Sequence, residues 1–101
     1  MATTSKNLFR GAATTTLTTT LYTVPSATTT VVTNIVVSNT GASAYTFTLY
    51  LAGTLFANTV SIAANSIATF DIKQVLVATN TIQGGASNTA VTFHISGVEI
   101  A

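Results

Sequence analysis

The sequence predicts an all-β fold: a single antiparallel β-sandwich, jelly-roll-like, of about eight strands. Three observations predict it. Val, Ile, Thr, Phe and Tyr supply 48 of the 101 residues, and these types suit a pleated, half-buried surface while losing rotamer freedom in helices. Short runs of alternating apolar and polar residues are separated by Gly, Pro, Asn and Ser, as strands are by turns. No sustained helical period occurs, even in the Ala-rich stretch Ala57–Ala68. The length allows one domain with a modest core.

Residues 1–12 show no clear period and are expected as an N-terminal arm preceding a domain at 13–101. Leu8 and Phe9, beside Arg10, either anchor this arm on a neighbouring subunit or fold it back on its own sheet. From Ala13 the pattern alternates, with Thr14, Thr16, Thr18 and Thr20 on one face and Leu17 and Leu21 on the other. Pro25-Ser26 ends that strand, because Pro cannot donate to a ladder. The strand Thr29–Asn39 places Val31, Ile35 and Val37 on one side and Val32 and Val36 on the other, which predicts a central strand buried on both faces.

Asn39-Thr40-Gly41-Ala42 is a turn, since Asn and Gly tolerate positive φ. Tyr45, Phe47, Leu49 and Leu51 then alternate with Ala44, Thr46, Thr48 and Tyr50, giving a half-buried strand, and Gly53 marks a tight reversal. Two short strands, 56–62 and 67–72, flank the turn Ala63-Ala64-Asn65-Ser66, and a brief one follows at 75–77. Gly84-Gly85-Ala86-Ser87-Asn88 has the composition of a loop. In the last strand, Ala90–Ile100, Val91, Phe93 and Ile95 share a face. Beyond Ser96-Gly97 the apolar phase moves to Val98 and Ile100, which predicts a β-bulge there.

Charge is scarce. Lys6, Arg10, Lys73, Asp71 and Glu99 are the charged side chains, and the net charge is +1. Three cations do not build the basic patch that displaces counterions from nucleic acid, nor a polybasic membrane anchor. No run nears the roughly 18 apolar residues of a membrane span. The opening residues lack an apolar stretch of signal-peptide length, so no secretion signal is visible. Without Cys, no disulfide or thiolate metal site is possible.

The same scarcity argues against catalysis. A hydrolytic triad needs a nucleophile, a base and an orienting carboxylate. His94 is the only candidate base, with Asp71 or Glu99 as the only orienters, and none of the eight Ser lies in a nucleophile-elbow sequence. His94 falls opposite Val91, Phe93 and Ile95 and is expected to face outward. Asp71, His94 and Glu99 lack metal-ligand spacing. No catalytic residue, metal ligand or cofactor is therefore expected, although a Ca²⁺ ion held by carbonyls and one carboxylate stays open.

Regular Thr spacing at Thr14, Thr16, Thr18 and Thr20 has three readings: an ordinary solvent face, an ice-ordering array, or a self-association surface with hydroxyls bonding across a subunit boundary. The third is preferred. A β-prone, uncharged chain lacks the usual electrostatic defence against association, and Val31-Val32-Thr33-Asn34-Ile35-Val36-Val37 is safest when covered. Leu8, Phe9, Arg10 and these four Thr are the candidate assembly contacts.

Three segments carry a family likeness: Leu21-Tyr22-Thr23-Val24-Pro25, then Thr28-Thr29-Thr30-Val31-Val32-Thr33-Asn34-Ile35-Val36-Val37-Ser38-Asn39-Thr40, and the closing Val91-Thr92-Phe93-His94-Ile95-Ser96-Gly97-Val98-Glu99-Ile100. Over roughly residues 13–101 the chain resembles small virion structural proteins of tailed bacteriophages. The stretch Val75–Ile82 departs from that pattern, lacking a Gly-Asp turn near Asn80. The resemblance implies a non-enzymatic β-sandwich, a head decoration (cement) protein on the outer surface of the shell. Its partners would be its own copies, as a homotrimer, and the phage major capsid protein. The alternative is a tail, baseplate or fibre module whose loops, such as Gly84–Asn88, touch tail proteins or host glycans through Tyr22, Tyr45 or Tyr50.

Overall fold

The structure, a computed structural model, describes residues 3–101. Nine strands run in chain order: β1 (Thr3–Ala12), β2 (Thr20–Thr23), β3 (Thr29–Asn39), β4 (Tyr45–Leu51), β5 (Thr54–Ile62), β6 (Ser66–Phe70), β7 (Gln74–Leu76), β8 (Thr81–Ala86) and β9 (Val91–Ile100). They form two antiparallel sheets. One has the order β1-β9-β3-β6, with β7 also on β3, and the other has β2-β8-β4-β5.

The pairs nest around the β4–β5 hairpin. β3 pairs with β6 and β7, β2 with β8, and β1 with β9. The chain is thus one long hairpin rolled into a sandwich, a jelly-roll-like path with its sixth strand broken in two, as β6 and β7. The tip of that hairpin is the pair Ala52-Gly53, at φ 52° and 78°. Two positive-φ residues match the twist of the flanking strands.

Inward residues of both sheets meet in one core. Val32, Ile35, Val37, Phe93 and Ile95 face Phe47, Leu49 and Ile82, all fully buried. Aromatic rings bridge the layers edge-on, with Phe47 at 6.1 Å from Phe70 and 6.3 Å from Phe93, and Phe56 at 5.5 Å from Phe70. Edge-to-face pairs of this kind add about 0.5–1.5 kcal/mol each beyond area burial.

Several expectations are corrected. Nine strands stand where about eight were expected, the added one being β1. Residues 3–12 of the expected arm fold back as β1, since Leu8 is buried in the core and Phe9 packs on it; Met1 and Ala2 lie outside the described residues. β3 is central, but the residues it buries, Thr30, Val32, Ile35, Val37 and Asn39, lie on one face, the phase changing at Thr33.

The expected bulge at Ser96-Gly97 lies on the neighbours instead. Register slips by one residue at Leu8 on β1, opposite Ile95 and Ser96, and at Thr33 on β3, opposite Ser96 and Gly97. β9 itself keeps phase, with Val91, Phe93, Ile95 and Gly97 all buried. The reason is space. A Cβ on Gly97 would stand 2.4 Å from the Val31 carbonyl oxygen and 2.9 Å from Leu8 Cδ1, so Leu8 fills the volume that a side chain at 97 would take.

Gly84 and Gly85 are not a loop but the buried middle of β8, with only Ser87–Ala90 forming the turn. A Cβ on Gly85 would stand 2.3 Å from the Thr16 carbonyl oxygen, and one on Gly84 2.6 Å from that of Thr48. Glycine here admits a close backbone neighbour.

Candidate functional site

That neighbour is the segment 13–19, where the predicted Thr ladder lay. It is not a strand. Its backbone still accepts from β8, with Gly84 N–H donating to Thr19 O and Ala86 N–H to Thr14 O, both at 2.9 Å. Between these anchors the chain turns back on itself. The Thr14 and Thr19 hydroxyls lie 2.6 Å apart and within 3.1 and 3.0 Å of the Thr16 carbonyl, so one donates to that carbonyl and accepts from the other. Hydroxyls that bond local backbone compete with a ladder, and here they win. Thr14, Thr16, Thr18 and Thr20 are exposed, but only Thr20 lies in a strand.

The other candidate contacts divide. Arg10 is exposed and points from the outer face of β1, beside His94 and, one strand further, Val36. Phe9 is half-buried, and Leu8 is withdrawn into the core, so Leu8 has no surface to offer a partner. Tyr45, Tyr50 and Tyr22 are not clustered on an exposed loop; Tyr22 is buried and the other two half-buried in β4.

His94 faces outward, and Glu99, an odd number of residues along β9, faces the opposite way. Among the described residues no three His, Asp or Glu side chains gather as metal ligands. Two shallow hollows exist. One, about 450 Å³, lies across the outer face at the two bulges and is lined by Ser5, Asn7, Arg10, Thr33 and Ser96. The other, about 360 Å³, lies at the β3–β6 end beside Asn39, Asn65 and Ile67. Both lie open to solvent, unlike the enclosing cleft of a small-molecule site.

Charge is distributed over the sheet edges unevenly. Edge strand β1 carries Lys6 and Arg10, and Asp71 and Lys73 stand in the break between β6 and β7. β2 has four residues. β5, by contrast, is a nine-residue edge without a charge or Pro, with two bulges against β4, one at Phe56 and one where Thr59, at φ 51°, donates its N–H to Thr48 Oγ1 (3.1 Å). Charges, breaks and shortness are the usual protections of an edge. Leu55, outward-facing, is 47% exposed there.

The opposite sheet also shows apolar side chains to solvent. Ser5, Val98, Val31 and Val75 form one cross-strand row, with Ile67 further along the same face. Ile67 is 70% and Val75 64% exposed.

Sequence spacing did not reveal one further cluster. Four side chains from four strands meet at one end of the sandwich. The Thr30 hydroxyl (β3) bonds the Tyr22 hydroxyl (β2) at 2.8 Å, Tyr22 donates to Glu99 Oε2 (β9), and Lys6 Nζ (β1) lies 3.3 Å from both carboxylate oxygens. The Tyr22 bond, with the Lys6 ammonium in the same sense, holds the Glu99 carboxyl below the usual range against the opposing effect of burial. Burial, then the neighbouring carboxylate, raise the Tyr22 phenol above its ordinary value. Residues 6, 22, 30 and 99 share no motif. The one available signal was that so few charges exist to pair.

No protein-family model and no curated protein matches this chain. Among solved structures it is similar to two crystal structures of a pentameric capsid protein isolated from metagenomic phage sequences. These are 21% identical, cover 92% of this chain and 59% and 60% of theirs, and have TM-scores of 0.43 and 0.44. A chain of the T13 IBDV viral particle is 12% identical, covering 97% of this chain and 30% of its own, with a TM-score of 0.45. This chain therefore spans three fifths or less of the length of these structures.

Proposed function

We propose that the protein is a non-enzymatic structural component of a phage virion, a decoration protein that coats the outer surface of the head shell as a homotrimer and contacts the major capsid protein. The observation that carries this reading is the surface: an uncharged nine-residue edge at β5, and outward apolar residues that suit burial against other subunits. The resemblance of residues 13–101 to tailed-phage virion proteins supports it. In this arrangement β5 contributes a subunit contact, and Arg10, Phe9 and the exposed hydroxyls of Thr14, Thr16, Thr18 and Thr20 line the remaining ones. A symmetric assembly of apolar and hydroxyl contacts persists without long-range charge.

Imaging virions by cryo-electron microscopy tests the proposal. The expected result is sandwich density on the outside of the head, in copy number comparable with the major capsid protein. Density confined to the tail or fibres would favour the alternative module. A copy number far below that of the major capsid protein would overturn the decoration role.

A further inference from the structure

The first half of β1 is held differently from the second. Every residue from Thr3 to Asn7 is exposed, and burial begins at the bulged Leu8. Beyond its backbone ladder to β9, this half has one side-chain tie, the Lys6–Glu99 pair. From Leu8 onward, Leu8 under Gly97 and Phe9 against the core fix the strand by packing.

Glu99 joins that tie to the opposite sheet. Its carboxylate takes the Tyr22 hydroxyl from β2 and the Lys6 ammonium from β1, and Tyr22 is itself bonded by Thr30 of β3. We propose that Glu99 is an acid-sensitive latch: ionised, it clamps residues 3–7 to the sandwich, and protonated, it releases them while residues 8–12 stay packed.

The groups facing Glu99 are Lys6 from β1, Tyr22 from β2 and Thr30 from β3; Arg10 and His94 stand on the outer face, away from it. Protonation removes the ion pair with Lys6 and weakens the charge-assisted bond from Tyr22. Because the folded carboxyl titrates below its unfolded value, the clamp is complete above the ordinary carboxylate range. It is lost as pH falls through the lower, folded value. The bulge at Leu8 is the natural boundary of the release, since no apolar side chain precedes it in the strand.

Amide hydrogen exchange on the whole purified chain tests this, with protection of Ser5–Asn7 expressed relative to Gly11–Ala12 of the same strand. Between neutral pH and about pH 2.5 the ratio is expected to fall about three- to fivefold, the scale of one partly exposed ion pair. Glu99→Gln should show the low ratio already at neutral pH and no further acid response. Lys6→Met, at an exposed position where substitution leaves the core intact, should do the same. A wild-type ratio that does not change with pH, or an acid response that persists in Lys6→Met, overturns the latch. The measurement uses free protein, so its outcome is independent of where the protein sits in a virion.

Discussion

Asn39 closes one end of the sandwich with a single amide. It is 1% exposed. Its Nδ2 donates to the carbonyls of Ser43, Ile62 and Ala63 at 2.8, 3.2 and 3.3 Å, and its Oδ1 accepts from Gly41 N–H at 2.9 Å. The β3–β4 turn and the β5–β6 turn, each of which crosses from one sheet to the other, are joined through it. The sequence marked Asn39 as a turn residue, from its tolerance of positive φ. Its actual role is hydrogen bonding across layers, and no local pattern encodes a partner 23 residues away. Asn39→Asp preserves shape but replaces the donor with a carboxylate facing three carbonyls. The expected loss of unfolding free energy is about 3 kcal/mol, because a buried acceptor is left against acceptors. Repulsion also raises the pKa of Asp introduced there in the folded state. The deficit should therefore shrink as pH falls and the carboxyl protonates. Urea unfolding at neutral and acid pH measures both effects, and an equal midpoint for both proteins at neutral pH would contradict the account.

At the scale of elements, strands were legible wherever one face is plainly apolar. Thr29–Asn39 and Tyr45–Leu51 have the expected limits because Val, Ile, Phe and Leu recur at period two. β8 was misread because Gly84 and Gly85 look like punctuation. Their lack of Cβ serves the approach of the Thr16 and Thr48 carbonyls, a tertiary fact. The Thr14–Thr20 alternation misled for the converse reason: Thr has strand propensity but also a hydroxyl able to bond its own loop. Bulges at Leu8 and Thr33 were placed one strand away, since the sequence shows the phase change and not which partner absorbs it. The β5 edge yields a prediction at this scale. Leu55 faces outward opposite Tyr50 and is 47% exposed, so Leu55→Lys should alter stability by no more than about 0.5 kcal/mol. A charge there protects the edge as Lys6 and Arg10 protect β1. Self-association measured by sedimentation velocity should weaken by at least about tenfold, or about 1.4 kcal/mol. Unchanged association would remove β5 from the subunit contact.

The whole molecule is a rod, 45 × 21 × 18 Å, with five charged side chains among 101 residues and a net charge of +1. Thr, at 23 residues, keeps its surface wet without giving it a field. Of those five charges, Lys6 and Glu99 neutralise each other within one chain. Asp71 and Lys73, two residues apart and of opposite sign, nearly cancel at a distance, which leaves Arg10 as the residual cation. Association between copies accordingly rests on apolar area and short-range hydroxyl contacts, and neither is screened by salt. Raising NaCl from about 50 to about 500 mM shortens the Debye length roughly threefold and abolishes long-range steering where it exists. Here the self-association constant, followed by sedimentation across that range, should change by less than about twofold. Sodium sulfate should strengthen association at equal ionic strength, because excluded salts favour burial of apolar surface. A tenfold loss of affinity in NaCl would instead make the Arg10 contact an ionic one that dominates association, in place of the apolar area at the β5 edge.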